Sequence, residues 1–218
     1  MFLAHTQIAA LAAEGKLIWT GYDPKRVKQA SYDLALGAEV YVVGKDHPIN
    51  LSDDDPYLAL APGEFAILTC LEEIRIPSDH IAFIALKSSF KFQGLVNISG
   101  FHVDPTHHGT LLFAVQNVGP SDIRLKYGRP TFTIFFAQLI GNILRSRDED
   151  PQTEFKDMQG IRLQDVQLLG GSSVTVTKLQ QEIAQLRYIM FVYTPVVVAI
   201  LAALIKLFWP AAPAPAGK

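Results

Sequence analysis

At 218 residues, with 49% hydrophobic and 18% charged residues, the chain has room for one domain of ordinary size plus an appendage. A net charge of −2 supplies no basic field, which argues against nucleic acid as a partner and leaves any acidic ligand to local groups. The single cysteine, Cys70 in an apolar run, excludes an intrachain disulfide framework and a cysteine zinc cluster, and fits a reducing compartment.

The opening residues Met1-Phe2-Leu3-Ala4-His5-Thr6 lack a charged start and a cleavable apolar stretch, so no signal peptide is expected. Thr6 is placed to cap a short helix with Ile8, Leu11 and Ala12 on one face and Gly15 as its stop. Between residues 39 and 138, β-rich runs at 40–43, 65–71, 81–86, 111–116 and 131–136 alternate with turn signals at Pro48, Pro56, Pro62-Gly63, Pro77, Pro105, Gly119-Pro120 and Gly128. That spacing predicts an all-β barrel or sandwich preceded by a helix, with no internal repeat. Asp53-Asp54-Asp55 reads as a solvated loop.

Residues 189–209 form an apolar run with Lys206 as the only charge. At about 1.5 Å per residue such a helix matches a hydrocarbon core of roughly 30 Å. Tyr188 and Tyr193 at one end and Phe208-Trp209 at the other suit the two interfaces, and Pro195 removes one backbone donor. The run is expected to be a single-pass C-terminal anchor in the lipid bilayer, with the globular part in the cytoplasm. Leu179, Ile183, Leu186 and Met190 just before it follow a heptad seam about two repeats long. The organisation expected is a folded domain over 1–168, a Gly/Ser hinge over 169–177, a helix over 178–209 and a disordered tail over 210–218.

Three polar motifs interrupt the β-rich region. Asp33 stands in Ser31-Tyr32-Asp33-Leu34-Ala35-Leu36-Gly37; Lys87-Ser88-Ser89 follows a strand; Asp104 is held in Gly100-Phe101-His102-Val103-Asp104-Pro105-Thr106-His107-His108-Gly109. A lysine and two hydroxyls at a strand end can neutralise and hydrogen-bond phosphate oxygens. A lone carboxylate in a turn either orients a water or bonds nearby backbone amides. His107 and His108, adjacent on a turn, are expected to point apart and lie exposed or on a pocket rim.

In this order the motifs resemble those of the dCTP deaminase and trimeric dUTPase superfamily, from about Thr6 to Gly160. The resemblance implies a mainly β fold, a distorted dUTPase-like, jelly-roll-like β-barrel, assembled as a homotrimer with sites between subunits. It implies a deoxyribonucleoside triphosphate as ligand and Mg²⁺ beside it, held near Asp33 through water. Lys87, Ser88, Ser89, His102 and Asn117 become substrate-binding candidates, and Asp104 the catalytic one. Gln159, in Glu154-Phe155-Lys156-Asp157-Met158-Gln159-Gly160, matches the deaminase-type tail that folds over the nucleotide. Three positions depart from the family pattern. Ala114 stands where the deaminases carry a glutamate ten residues after the aspartate; Phe92 and His102 stand where arginines are expected. Alanine cannot take a proton from water and return it to a ring nitrogen and a leaving amine. Three functions follow: an enzyme on a deoxyribonucleoside triphosphate, by deamination at a rearranged site or by hydrolysis to the monophosphate and pyrophosphate; a nucleotide sensor without turnover; and a trimeric platform at the membrane.

Overall fold

The computed structural model describes residues 1–141, 143, 160–161 and 176–208, with side chains resolved in the last segment over 182–205. The expected tail over 210–218, most of the hinge, and Gln159 lie outside the described residues. The chain divides into two units, Met1–Ser173 and Val174–Lys218.

The first unit begins with helix α1 (His5–Ala13). It starts a residue before Thr6, with Ala4 at the N-cap donating its N–H to Gln7 Oε1 at 2.9 Å. Gly15, at φ +70°, ends it with Lys16 N–H bonded back to Leu11 O. Ile8 and Ala12 are buried against the sheet.

The strands are β1 (Leu17–Thr20), β2 (Tyr32–Val42), β3 (Ile49–Asn50), β4 (Tyr57–Leu60), β5 (Phe65–Arg75), β6 (His80–Leu86), β7 (Leu95–Asn97), β8 (His102–Val103), β9 (His108–Asn117), β10 (Ile123–Lys126) and β11 (Pro130–Gln138). A curled antiparallel sheet runs β7-β9-β5-β2-β11-β6-β8, with β1 added to β5 and β3 to β2; β4 and β10 form a separate pair. The mainly β expectation holds, with its short N-terminal helix.

Alternation explains the core. On β9, Leu111, Phe113, Val115 and Asn117 face inward, while Leu112, Ala114 and Gln116 face the other side. Phe113 stacks on Phe132 of β11 with ring centres 3.7 Å apart. Leu58, Leu60, Ile123 and Leu125 of the β4–β10 pair belong to the same core. Strand β2 is longer than its expected 40–43 because the Asp33 motif is itself strand, not loop. Gly37 permits this: a Cβ there would sit 2.5 Å from Thr69 Oγ1 and 2.6 Å from Cys70 O, where β2 and β5 bulge together.

The second unit contributes helix α3 (Val176–Phe208), following the short α2 (Ser88–Lys91) of the first. Glu182–Ile205 is long and apolar enough to cross a membrane, with mean hydropathy 2.4 and none of it buried.

Candidate functional site

Strand order creates the first site. With β11 between β2 and β6, Thr133 lies opposite both Asp33 and Ala85, so two distant motifs meet on one face. Asp33, 4% exposed, accepts from Lys87 Nζ at 2.5 Å and from Thr133 Oγ1 at 3.0 Å. Lys28 Nζ stands 3.8 Å from the same carboxylate oxygen that Lys87 occupies. Two ammonium groups on one carboxylate leave a local excess of one positive charge, on lysines that are part exposed while the carboxylate is buried. Lys28 was not among the sequence candidates. Its only signal is that it precedes the Asp33 motif by a few residues, which a lysine in a turn does for no particular reason.

A buried framework holds the Asp33 strand from below. Glu72, fully buried, accepts from Arg26 Nη1 at 2.5 Å and from the Ala35 N–H at 3.1 Å, with Tyr32 Oη at 3.5 Å. Burial pushes the Glu72 carboxyl above its ordinary range, opposed by Arg26 and the backbone bonds. Burial likewise pushes the Tyr32 hydroxyl up to about 12, so it stays neutral and accepts the Asp23 N–H at 3.0 Å. Tyr32 and Ala35 flank Asp33, so this network sets where its carboxylate points. Cys70 is an inert part of the same region: its thiol is raised by burial and donates to Glu72 O at 3.0 Å.

Ser88 and Ser89 follow Lys87 on α2 and are both exposed. Asp104 does not join this corner within one chain. Val103, its neighbour, pairs with Ala82, five residues before Lys87 and so about 17 Å away along β6. Asp104 is itself exposed, with His102 Nε2 3.4 Å from its Oδ1 and Phe101 edge-on to the His102 ring. Its turn is held in unusual backbone: Thr106 has φ 63°, and its N–H bonds Ile76 O at 3.0 Å. A β-branched residue in the left-handed region is strained.

Two expectations need correcting. Asn117 is fully buried and its amide is already used: Nδ2 donates to Leu60 O at 2.8 Å and Ser121 O at 2.9 Å, and Oδ1 accepts the Gly119 N–H at 2.9 Å. It ties the β4 edge to the 117–121 turn, so its amide is committed to bonds within the fold. Of the two turn histidines, which do point apart, only His108 is exposed, edge-on to Trp19; His107 is buried.

Ala114 occupies a cross-strand rung with Ile67 of β5, itself opposite Tyr41 of β2. Leu112, Phe65 and Val43 pack around that rung, and Ile161 closes over it with its N–H on Glu39 Oε2 at 2.8 Å. Glu39 lies two strands from Ala114, roughly 10 Å. Ala114 O meanwhile accepts from Ile98 at 2.8 Å, which fixes the 98–101 loop beside it.

The residues present do not fit a directly held Mg²⁺. Asp33 is a single carboxylate whose oxygens are taken by Thr133 and Lys87, with an ammonium where a cation would stand. No group of three potential metal ligands occurs among the described residues.

A family model described as dCTP deaminase-like matches residues 2–139. A dCTP deaminase of Thermococcus kodakarensis is 32% identical over 120 residues, 55% of this chain and 75% of that relative. A dCTP deaminase of Photorhabdus laumondii is 26% identical over 184 residues, covering 73% of this chain and 95% of the relative. The solved 2'-deoxycytidine 5'-triphosphate deaminase from Agrobacterium tumefaciens superposes with a TM-score of 0.52 at 24% identity. That match covers 62% of this chain and 47% of the other, less than half its length, and shows a shared fold.

Proposed function

This chain belongs to the dCTP deaminase-like family, and we propose that it binds a deoxyribonucleoside triphosphate without deaminating it, as a nucleotide sensor tethered to a membrane. The observation that carries the reading is the Tyr41–Ile67–Ala114 rung. Water attack at C4 of cytosine needs a group that shuttles a proton. Mainly apolar side chains, Ile67, Ile161, Leu112 and the Tyr41 ring, pack at the rung of Ala114, where the resemblance places the deaminases' glutamate, and Gln116 on the same face does not titrate usefully. The Asp33–Lys87–Lys28 corner supports retained binding, because its excess positive charge and the nearby Ser88 and Ser89 hydroxyls suit phosphate oxygens.

In this reading Mg²⁺ arrives with the triphosphate and not on a resident ligand set. Asp104 and Lys87 lie at opposite ends of β6, so a homotrimer, as the resemblance implies, would complete the pocket by placing a second copy's Asp104 near the Lys87 corner. The apolar part of α3 is the anchor, with the folded unit on the cytoplasmic side.

A second reading, hydrolysis to the monophosphate and pyrophosphate with Asp104 orienting water, is favoured by the strained Thr106 turn that holds this carboxylate. One experiment separates the two. The full-length chain in detergent is incubated with dCTP or dUTP and Mg²⁺, and products are resolved by ion exchange while melting is followed in parallel. The expected result is a nucleotide-dependent rise in Tm with no product, in the wild type and in Asp104→Asn alike. Ala114→Glu is expected to bind but not deaminate, since Phe92 and His102 still replace the family's arginines. Formation of dUTP, dUMP or pyrophosphate by the wild type, lost in Asp104→Asn, would make it an enzyme. No Tm shift with any deoxynucleotide would leave only a structural platform.

A further inference from the structure

Helix α3 is one unbroken helix of 33 residues, roughly 50 Å at about 1.5 Å per residue. A hydrocarbon core of roughly 30 Å accommodates only part of it, so about 13 residues project as a stem. Ile183, Leu186, Met190, Tyr193, Val197, Ile200 and Leu204 recur along it at spacings of three and four, which is a continuous a/d seam. All seven are exposed, Ile183, Leu186 and Met190 by 48, 60 and 68%. Leu179 extends the same spacing toward the N-terminus. Inside the apolar span nearly every residue is hydrophobic, so the repeat discriminates little there. The stem carries the argument: its polar residues Gln185, Arg187 and Tyr188 avoid the seam, and Pro195 falls at the outermost f position, where it leaves the seam intact.

Charge identifies the occupant. Glu182 and Arg187 are the only charged residues among the described side chains of α3, and neither forms an ion pair there. They stand five residues apart, about 140° around the axis, whereas partners within one helix stand three or four apart. In heptad terms Glu182 is g and Arg187 is the following e. Those two positions meet between neighbouring helices when the helices run parallel and in register. The only helix guaranteed to offer the complementary sequence is the same one.

We propose that α3 packs against a second copy of this chain as a parallel, in-register coiled coil, starting in the stem at Ile183 and continuing to Leu204, with Glu182 of each helix paired to Arg187 of its neighbour. Left-handed packing of this kind is also the common crossing geometry of helices in lipid, so the seam runs across the interface without a change of register. The pairing is independent of the nucleotide reading and of any contact between the folded units.

Cysteine cross-linking of the full-length chain in membranes or detergent tests it. The native Cys70 is buried and gives the background. Under a mild oxidant, Ile183→Cys and Leu186→Cys should form intermolecular disulfides about tenfold faster than Ala184→Cys and Gln185→Cys at positions b and c. Adding Glu182→Arg should slow the reaction at 183, and adding Arg187→Glu to that variant should restore it. Lys178, four residues before Glu182, cannot account for such a rescue. Association through the folded unit alone would give equal rates at all four positions and overturn the proposal, as would absence of cross-linking or failure of the charge swap to rescue.

Discussion

Two places on the curled sheet, the Asp33 corner and the face at Ala114, differ in what surrounds them. At the Asp33 corner a buried carboxylate of β2, a threonine of β11 and two lysines from the flanking loops converge, and the one carboxylate faces both ammonium groups. At Ala114 the rung is Tyr41, Ile67 and Ala114 across three strands, with the Tyr41 hydroxyl its one polar side-chain group, and Ile161 packs with it. A charge can persist at the first place because its desolvation is offset by fixed partners; at the second, the described residues packed together include no cation to offset it. The contrast is between a charge kept in place by its partners and a face built mainly from apolar side chains. The groups that would hold phosphates also stabilise strand packing, so they remain useful without chemistry.

The strongest way to break the comparison is to remove Lys87. Lys87→Ala leaves Asp33 buried with only Lys28 at 3.8 Å and the Thr133 bond, which should cost about 3 kcal/mol, the low end for a broken buried pair because Lys87 is itself part exposed. Nucleotide-dependent stabilisation should disappear with it. Asp33→Asn combined with Lys87→Met neutralises both partners, so denaturant melting should recover most of the stability while the response to dCTP stays absent. If the double variant still responds to nucleotide, the corner is scaffold and not the binding site.

The two regions were unequally legible. Long strands showed themselves as β-rich runs because inward and outward residues alternate, as on β9. Strands of two to four residues such as β3, β7 and β8 are too short to carry a period, and they surfaced only through pairing. The motif around Asp33 hid a strand because its first six residues are all buried, a run with no period of two that also contains a charge and a glycine. Asp33 and Lys87 were each visible, yet their pairing was not: they are 54 residues apart and meet only because β11 inserts between β2 and β6. Lys28 had no local signal at all. Asn117 misled in the other direction, since a polar residue at a strand end reads as a ligand group until its three hydrogen bonds are seen.

Asn117 therefore sharpens the comparison from the scaffold side. Asn117→Ala deletes three hydrogen bonds, one buried and two part-buried, and leaves Leu60 O, Ser121 O and the Gly119 N–H to find water. A loss of about 2 kcal/mol in urea melting is expected. The increment that dCTP adds to Tm should be unchanged, because the amide is already used by bonds within the fold. A stability loss accompanied by loss of the nucleotide increment would return Asn117 to the binding site.

The smallest effect is a pH dependence that originates beneath the Asp33 corner. Glu72 has its folded-state pKa raised above the ordinary 4.5, first by burial. Between those two values the folded state holds a proton that the unfolded chain has released, so stability must fall as pH rises through that window. One proton limits the slope to about 1.4 kcal/mol per pH unit. Glu72→Gln should flatten this dependence while retaining an acceptor for Arg26 and Ala35. Melting followed from pH 4 upward in both proteins reads the difference directly. An identical slope in Glu72→Gln would mean that Arg26 holds the carboxylate ionised throughout. The network that orients Asp33 would then be insensitive to proton binding, like the apolar rung at Ala114.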